Sequence, residues 1–123
     1  MKKIISTLLT ITTLSLSSQT ICEVDSVLKE YGVKHSNIVL KQSILETGWY
    51  KSNLCKENNN LFGFWYKKEF LKFDTWQDSI AYYKRWQDRH FDNECCDDYY
   101  DFLVRRGYAT DKEYINKLKS IKI

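Results

Sequence analysis

The 123-residue sequence contains no proline and only four glycines, two histidines and one methionine. Without proline, helices have to end at glycines and capping residues, so these residue types mark the predicted boundaries. Two histidines and the absence of paired C-x-x-C spacings argue against a zinc site, and we predict no metal and no cofactor. A strong excess of either charge is also missing, since 19 basic side chains accompany 16 acidic ones.

The N-terminal segment has the composition of a secretory signal peptide. Lys2 and Lys3 precede an uncharged run rich in Leu, Ile and Thr that ends in small residues, IISTLLTITTLSLSS. This run is shorter than the ~20 residues of a transmembrane helix. We therefore predict a signal peptide at residues 1–18, a secreted or periplasmic (cell-envelope) protein, and no membrane attachment after cleavage. An uncleaved N-terminal anchor is the alternative.

Removal of the signal peptide would take away Lys2 and Lys3 and leave 17 basic and 16 acidic side chains. A nearly neutral chain lacks the concentrated positive surface of a nucleic-acid-binding protein, so we predict no nucleic-acid partner. In a secreted protein the cysteines are possible disulfide partners. A bridge from Cys55 to Cys95 or Cys96 is possible, whereas the adjacent pair would strain the required geometry.

Apolar periodicity and capping residues predict one α+β domain over residues 24–123, predominantly helical with one short hairpin. Its predicted helices run from Val24 to Tyr31, from a Ser36 cap to Gly48, from a Thr75–Asp78 capping box to about Gln87, from Asp98 to Arg106, and from a Thr110 cap to Ile121. Trp49–Asn60 is predicted to be a loop, and Leu61–Phe73 a hairpin turning at Lys-Lys-Glu. A monomer of this size has one core, so any cleft lies between the helices and the hairpin.

The stretch QSILETGWYKS places Glu46 near the end of a predicted helix. Helix C-termini disfavour carboxylates, and apolar neighbours add to the effect, so we predict a raised pKa for this carboxyl group. A carboxyl group that is still protonated near neutral pH can act as general acid on a glycosidic oxygen. The alternative is a solvated side chain paired with Lys41 or Lys51.

Aromatic and amide side chains follow Glu46 closely. Aromatic rings suit the faces of sugars, and the amides of residues 58–60 suit their hydroxyl and N-acetyl groups. The aromatic candidates are Trp49, Tyr50, Phe62, Phe64, Trp65 and Tyr66. For Phe62 we prefer an interpretation as a core residue.

QSILETGWYKS followed by NNNLFG resembles the glucosaminidase family of bacterial cell-wall hydrolases, glycoside hydrolase family 73. FDTWQDSIAYYKRW and GYATDKEYINKL resemble later segments of the same family, so the similarity covers about residues 33–121. The resemblance implies a lysozyme-like fold. It also implies hydrolysis of the β-1,4 bond between N-acetylglucosamine and N-acetylmuramic acid in peptidoglycan glycan strands.

The resemblance assigns roles to individual residues. Glu46 matches the family's catalytic acid and Tyr108 matches a tyrosine that lines the cleft. Asn60, Phe62 and Gly63 match the loop that shapes the cleft and are candidate substrate-binding residues, together with Trp49 and Trp65.

The hairpin is shorter than is common in the family, which leaves Glu69 and Asp74 as candidates for a second catalytic carboxylate. The substrate's own acetamido group is an alternative nucleophile. Alternative functions are a lytic transglycosylase or muramidase on the same fold, or a catalytically weak peptidoglycan-binding protein, because fold does not determine chemistry.

Overall fold

A computed structural model describes residues 19–91, 98–108 and 112–123 of the chain. These residues form helices α1 (Ile21–Glu30), α2 (Ser36–Thr47) and α3 (Asn53–Asn58), strands β1 (Trp65–Tyr66) and β2 (Glu69–Phe70), and helices α4 (Trp76–His90), α5 (Tyr99–Arg106) and α6 (Tyr114–Ser120). The predicted class, α+β and predominantly helical with one short hairpin, is confirmed. The predicted signal peptide lies outside the described residues and stays a prediction.

The first two helices begin differently from the prediction. Helix α1 starts before Val24, because Thr20 and Glu23 form a capping box with hydrogen bonds of 3.1 and 2.8 Å. The prediction of Ser36 as a cap is wrong. Ser36 is the first residue of α2, and His35 takes the cap position with a left-handed backbone (φ 55°) and no side-chain bond.

Helix α2 ends at Gly48 as predicted, where the backbone turns left-handed (φ 58°). The prediction of an unbroken loop after it is wrong over Asn53–Asn58, which form α3. The Ser52 hydroxyl accepts a hydrogen bond from the Cys55 amide at 3.4 Å and so caps this helix. Since Cys55 is the buried residue of α3, the segment has no periodic apolar pattern from which to predict a helix.

The predicted hairpin is confirmed and is two residues deep on each side, with Trp65 paired to Phe70 and Tyr66 to Glu69. Lys67 and Lys68 form the turn with positive φ angles of 50° and 67°. Two consecutive left-handed residues are the geometry of a tight turn that matches the twist of antiparallel strands. Glu69 therefore belongs to strand β2 rather than to the turn.

The last three helices agree with most of the predicted caps. Thr75 and Asp78 form the predicted capping box at the start of α4, with bonds of 3.2 and 3.3 Å. Asp98 caps α5, which ends at Gly107 (φ 68°). Helix α6 begins at Tyr114, and the predicted Thr110 cap lies outside the described residues.

Helix α2 lies at the centre of the core and contacts both α1 and α6. The side chains that it buries include polar as well as apolar groups: Ile38, Val39, Leu40, Gln42, Ser43, Ile44 and Thr47. Within the described part of the chain, every buried side-chain nitrogen and oxygen has a hydrogen-bond partner. A core helix can carry this many polar groups because each of them is paired.

The described residues also bear on membrane attachment and on disulfide bonding. Across the described ranges, no helix has both the length and the apolar character needed to cross a membrane. Cys22 and Cys55 are both free thiols, exposed and buried respectively. The prediction of a bridge from Cys55 to Cys95 or Cys96 is therefore wrong: the Cys55 thiol is free and accepts a hydrogen bond from the Gln19 amide at 2.8 Å.

Candidate active site

A cleft of about 290 Å³ lies between the segment that leads into the hairpin and helices α2, α4 and α5. Its lining residues are Glu46, Phe62, Gly63, Phe64, Trp65, Trp86, Arg106, Gly107 and Tyr108. One domain therefore forms the cleft from its hairpin side and its helical side. Within the described lining, Glu46 supplies the one carboxyl group and Arg106 the one cation.

Glu46 lies near the C-terminal end of α2 and is half-buried. Burial raises the pKa of its carboxyl group, and a hydrogen bond from the Tyr114 hydroxyl lowers it by less. The side-chain ion pairs found in the described residues join Lys29 to Asp25 and Lys84 to Asp88, so neither of the lysines considered as surface partners of Glu46 is in ion-pair contact with it. This environment favours the protonated carboxyl group.

Gly63 passes directly over the Glu46 carboxyl group. A Cβ atom at position 63 would lie 2.8 Å from Glu46 Oε1, and the backbone there is left-handed (φ +70°). Both features require a residue without a side chain. The Leu-Phe-Gly sequence therefore brings the main chain against the candidate acid and shields one side of it.

Asn60 organises the loop that carries Gly63. Its side chain is fully buried, and its amide group donates to the carbonyls of Phe64 and Leu71, both at 3.0 Å. Its Oδ1 accepts from the backbone amides of Phe62 and Phe64 at 3.3 and 3.1 Å. With these bonds made, Asn60 shapes the cleft from inside the loop and does not line it.

The two preceding asparagines, Asn58 and Asn59, bond to the main chain that follows the hairpin. The Asn58 amide donates to the Leu71 carbonyl at 3.3 Å, and the Asn59 amide donates to the carbonyls of Phe73 and Asp74 at 3.0 and 3.1 Å. These bonds join the C-terminal end of α3 to the segment that follows β2. In this structure the asparagine amides bind protein backbone, where the sequence suggested sugar hydroxyls.

Tyr108 ties the end of α5 to the loop over Glu46. Its hydroxyl donates to the Phe62 carbonyl at 2.8 Å, and its ring packs against Trp86 and Tyr114 at centroid distances of 5.7 and 5.9 Å. Phe62 itself is 1% exposed and packs on Tyr83, in agreement with the core interpretation. Tyr108 thus lines the cleft and fixes one of its walls.

The two candidate tryptophans lie in different places. Trp65 lines the cleft with its ring 57% exposed, and its edge is supported by Phe70 at a centroid distance of 4.7 Å. Trp49 is 47% exposed and has a left-handed backbone (φ 62°), but it does not line the cleft. Of these two tryptophans, Trp65 is therefore the one that a ligand in the cleft can reach.

Neither candidate second carboxylate lines the cleft. Glu69 lies on β2 opposite Tyr66 and is exposed. Asp74 is exposed and directly precedes the Thr75 cap, where a negative charge complements the N-terminus of α4. In the described ranges there is also no cluster of three or more side chains able to hold a metal ion.

Sequence reasoning missed a line of buried hydrogen bonds behind Glu46, called the donor chain here. It runs through Gln87, Tyr99, Tyr83, Gln42 and Tyr114 and ends on Glu46. Successive donor–acceptor distances up to Tyr114 are 3.0, 2.7, 2.5 and 3.3 Å. The available signal was Gln42, a polar residue one helical turn before Glu46 on an otherwise apolar face.

The sequence analysis also did not assign Trp86, Arg106 or Tyr114 to the site. Trp86 and Arg106 line the cleft directly, and Tyr114 lies behind it as the hydrogen-bond partner of Glu46. Their positions depend on how α4, α5 and α6 converge, which local patterns do not reveal.

Comparison with protein families matches residues 23–122 to a family described as Glucosaminidase: Mannosyl-glycoprotein endo-beta-N-acetylglucosaminidase. The matched segment contains every described residue that lines the cleft. No curated protein and no solved structure matches the chain significantly.

Proposed function

The chain belongs to the glucosaminidase family, whose match covers residues 23–122 of 123, and on that premise we propose how it acts. It is a peptidoglycan hydrolase that cleaves the β-1,4 bond between N-acetylglucosamine and N-acetylmuramic acid, with Glu46 as general acid. The observation that carries the proposal is the half-buried Glu46 carboxyl group beneath Gly63 in an aromatic-lined cleft, with its pKa raised by burial.

In the first step the Glu46 carboxyl group donates its proton to the glycosidic oxygen while the bond from that oxygen to C1 breaks. The leaving group then departs as a neutral hydroxyl. The raised pKa supports this role because the carboxyl group has to be protonated at the working pH. Once Glu46 is ionised, the Tyr114 hydroxyl stabilises the carboxylate by hydrogen bonding.

The nucleophile in this proposal is the acetamido group of the N-acetylglucosamine unit. Its carbonyl oxygen forms a bond to C1 as the leaving group departs, giving a cyclic oxazolinium intermediate. Water then attacks C1 and gives its proton to the Glu46 carboxylate, and the ring reopens to the acetamide. In support, Glu46 is the one carboxyl group in the described lining of the cleft, whereas Glu69 and Asp74 lie outside it.

The exposed ring of Trp65 is suited to stack on a sugar next to the cleavage site. We extend the proposal to location. Residues 1–18 direct export, and the domain acts on peptidoglycan outside the cytoplasmic membrane. A protease-protection assay on cells that express the full chain tests this extension, because an exported domain is cleaved while the cytoplasmic membrane is intact, whereas a cytoplasmic domain is protected until that membrane is opened.

The test of the chemistry is Glu46→Gln, assayed on purified peptidoglycan sacculi. We expect hydrolysis to be abolished and stability to be nearly unchanged, because the amide keeps the shape of the side chain and removes its proton. Glu69→Gln and Asp74→Asn serve as matched controls and are expected to retain activity. Substantial activity in Glu46→Gln would contradict the proposed acid, and loss of activity in either control would contradict a substrate-assisted mechanism.

Mass spectrometry of the released fragments identifies the bond that is cleaved. Reducing N-acetylglucosamine ends are expected from the proposed enzyme. Anhydro-muramic ends would instead indicate a lytic transglycosylase, and reducing muramic ends a muramidase. Binding to sacculi without any release of fragments would indicate a peptidoglycan-binding protein.

A further inference from the structure

The cleft contains one cation, Arg106, within its described lining, and this residue takes no part in the proposed reaction. We propose that Arg106 is a specificity-determining residue that binds a carboxylate of the substrate, so that the cleft selects acidic glycan strands over neutral ones. This inference rests on the proposed function. Muramic acid units carry a lactyl group and a peptide stem with carboxylates, whereas a chitin-like strand of N-acetylglucosamine carries none.

The fold determines the position of Arg106. It is the last residue of α5, and Gly107 ends the helix in a left-handed conformation (φ 68°). The next residue, Tyr108, is bonded at 2.8 Å to the Phe62 carbonyl, in the same loop that covers Glu46. Arg106 is thus two residues from Tyr108, which is fixed by its hydrogen bond to Phe62, and it lines the same cleft as the candidate acid.

The charges around the cleft favour an anionic ligand. When Glu46 carries its proton, the described lining has one remaining charge, the guanidinium of Arg106. Neither of the two side-chain ion pairs seen in the described ranges includes Arg106. A guanidinium group can bind a carboxylate through two parallel hydrogen bonds, which gives geometric selectivity as well as attraction.

Arg106 shares the lining of the cleft with Trp86, whose ring lies 5.6 Å from that of His90. The charge of Arg106 is one cause of the lowered pKa of His90, after burial. At Glu46 the leading cause of the raised pKa is burial, and the opposing one is the hydrogen bond from Tyr114. Arg106 can therefore hold a substituent of the substrate while Glu46 keeps its raised pKa.

A structural role for Arg106 makes a different prediction. Basic residues near a helix C-terminus complement the partial negative charge of the helix end. If Arg106 acted only in this way, the Arg106→Gln variant would be less stable to heat. It would still prefer native over amidated sacculi to the same degree as the unmodified protein.

The experiment compares native sacculi with sacculi whose carboxyl groups have been converted to neutral amides by a carbodiimide and methylamine. Rates of release of reducing ends are measured at low substrate for the unmodified protein, for Arg106→Gln and for the control Arg89→Gln, which changes an exposed arginine outside the cleft. We expect amidation to slow the unmodified protein and the control about tenfold, the effect of losing one hydrogen bond between charged groups. Arg106→Gln should be slower by about the same factor on native sacculi and insensitive to amidation.

A separate binding assay distinguishes failure of this inference from failure of the proposed hydrolysis. Co-sedimentation of Glu46→Gln and of the double variant Glu46→Gln, Arg106→Gln with the two kinds of sacculi measures carboxylate recognition without turnover. A preference for native sacculi that disappears in the double variant supports the inference even if no variant hydrolyses peptidoglycan. Equal sensitivity to amidation with and without Arg106, or no sensitivity in the unmodified protein, would overturn it.

Discussion

The contact between Gly63 and Glu46 provides the sharpest test of the active-site geometry. Replacing Gly63 by alanine would place a Cβ atom 2.8 Å from Glu46 Oε1, where ordinary contacts of this kind begin at about 3.4 Å. This shortfall in distance cannot be absorbed by a movement of the loop alone, since Asn60 holds the loop from inside and Tyr108 holds it from outside. We therefore expect the Glu46 carboxyl group to move by about half an ångström or more.

Two effects of Gly63→Ala can be estimated separately. An alanine in the left-handed region costs about 1–2 kcal/mol of folding free energy. A displacement of 1 Å in a catalytic group can reduce the rate about 100-fold, so a shift of half this size is expected to reduce kcat about tenfold or more. Stability should fall modestly, while activity should fall much more than stability explains.

Gly32→Ala is the matched control. Gly32 has the same left-handed conformation (φ +75°), but its added Cβ atom would meet only the flexible end of Lys84, at 3.9 Å. Urea denaturation measures the free energy of unfolding of both variants, and the release of reducing ends from sacculi measures kcat. Equal activity of the two variants at equal stability would refute the conclusion that Gly63 positions the catalytic acid.

Three further predictions concern the same site. Tyr114→Phe removes the hydrogen bond that lowers the pKa of Glu46, so the decline of kcat at alkaline pH should move to higher pH; an unchanged profile would contradict this role. Burial raises the pKa of Glu46 in the folded protein above its value of about 4.3 in the unfolded chain, so folding favours the protonated form. The free energy of unfolding should therefore fall as the pH rises from the unfolded-state pKa through the folded-state pKa. Glu46→Gln should lack that part of the decline, as urea denaturation at several pH values would show. Asn60→Ala removes four hydrogen bonds made by a fully buried side chain and should destabilise the protein by about 2–4 kcal/mol, more than Asn59→Ala, in the same assay.

Local signals were sufficient at some helix ends, although Ser36 does not cap α2 and the Thr20–Glu23 capping box was not predicted. The Thr75–Asp78 capping box and the helix end at Gly48 each depend on one local hydrogen-bond pattern, and both are found as predicted. The raised pKa of Glu46 was also predictable, although burial is its leading cause and burial depends on tertiary packing. Local patterns indicated Glu46 as a candidate acid but did not reveal the contacts that surround it.

The remaining differences between prediction and structure arise where contacts between residues far apart in the sequence determine the role of a side chain. The amides of residues 58–60 are polar and adjacent, which suggested a sugar-binding loop, but they bond to backbone groups in the Phe64–Asp74 segment. That segment is brought back to them by the hairpin, and the sequence gives no measure of how closely it returns. Similarly, Arg106 becomes part of the cleft only because Tyr108 bonds to Phe62 across the fold.

The donor chain shows how the core and the catalytic acid depend on each other. Gln87 Oε1 accepts from the Lys34 amide at 2.8 Å, which fixes the orientation of the side chain and leaves its Nε2 to donate to the Lys34 carbonyl and to Tyr99. Each hydroxyl has one proton to donate. Tyr83 donates its proton to Gln42 Oε1, so the bond between the two tyrosines takes its proton from Tyr99.

Gln42 in turn presents its Nε2 group to the Tyr114 hydroxyl, whose own proton is then directed at Glu46. Every bond in the chain therefore points toward the carboxyl group, and aligned donors of this kind strengthen one another. The alignment favours the ionised form of Glu46, whereas burial favours the protonated form. In the proposed mechanism Glu46 first donates a proton and later accepts one, so both influences serve it: burial supplies the first, and the Tyr114 hydroxyl at the end of the donor chain supplies the second.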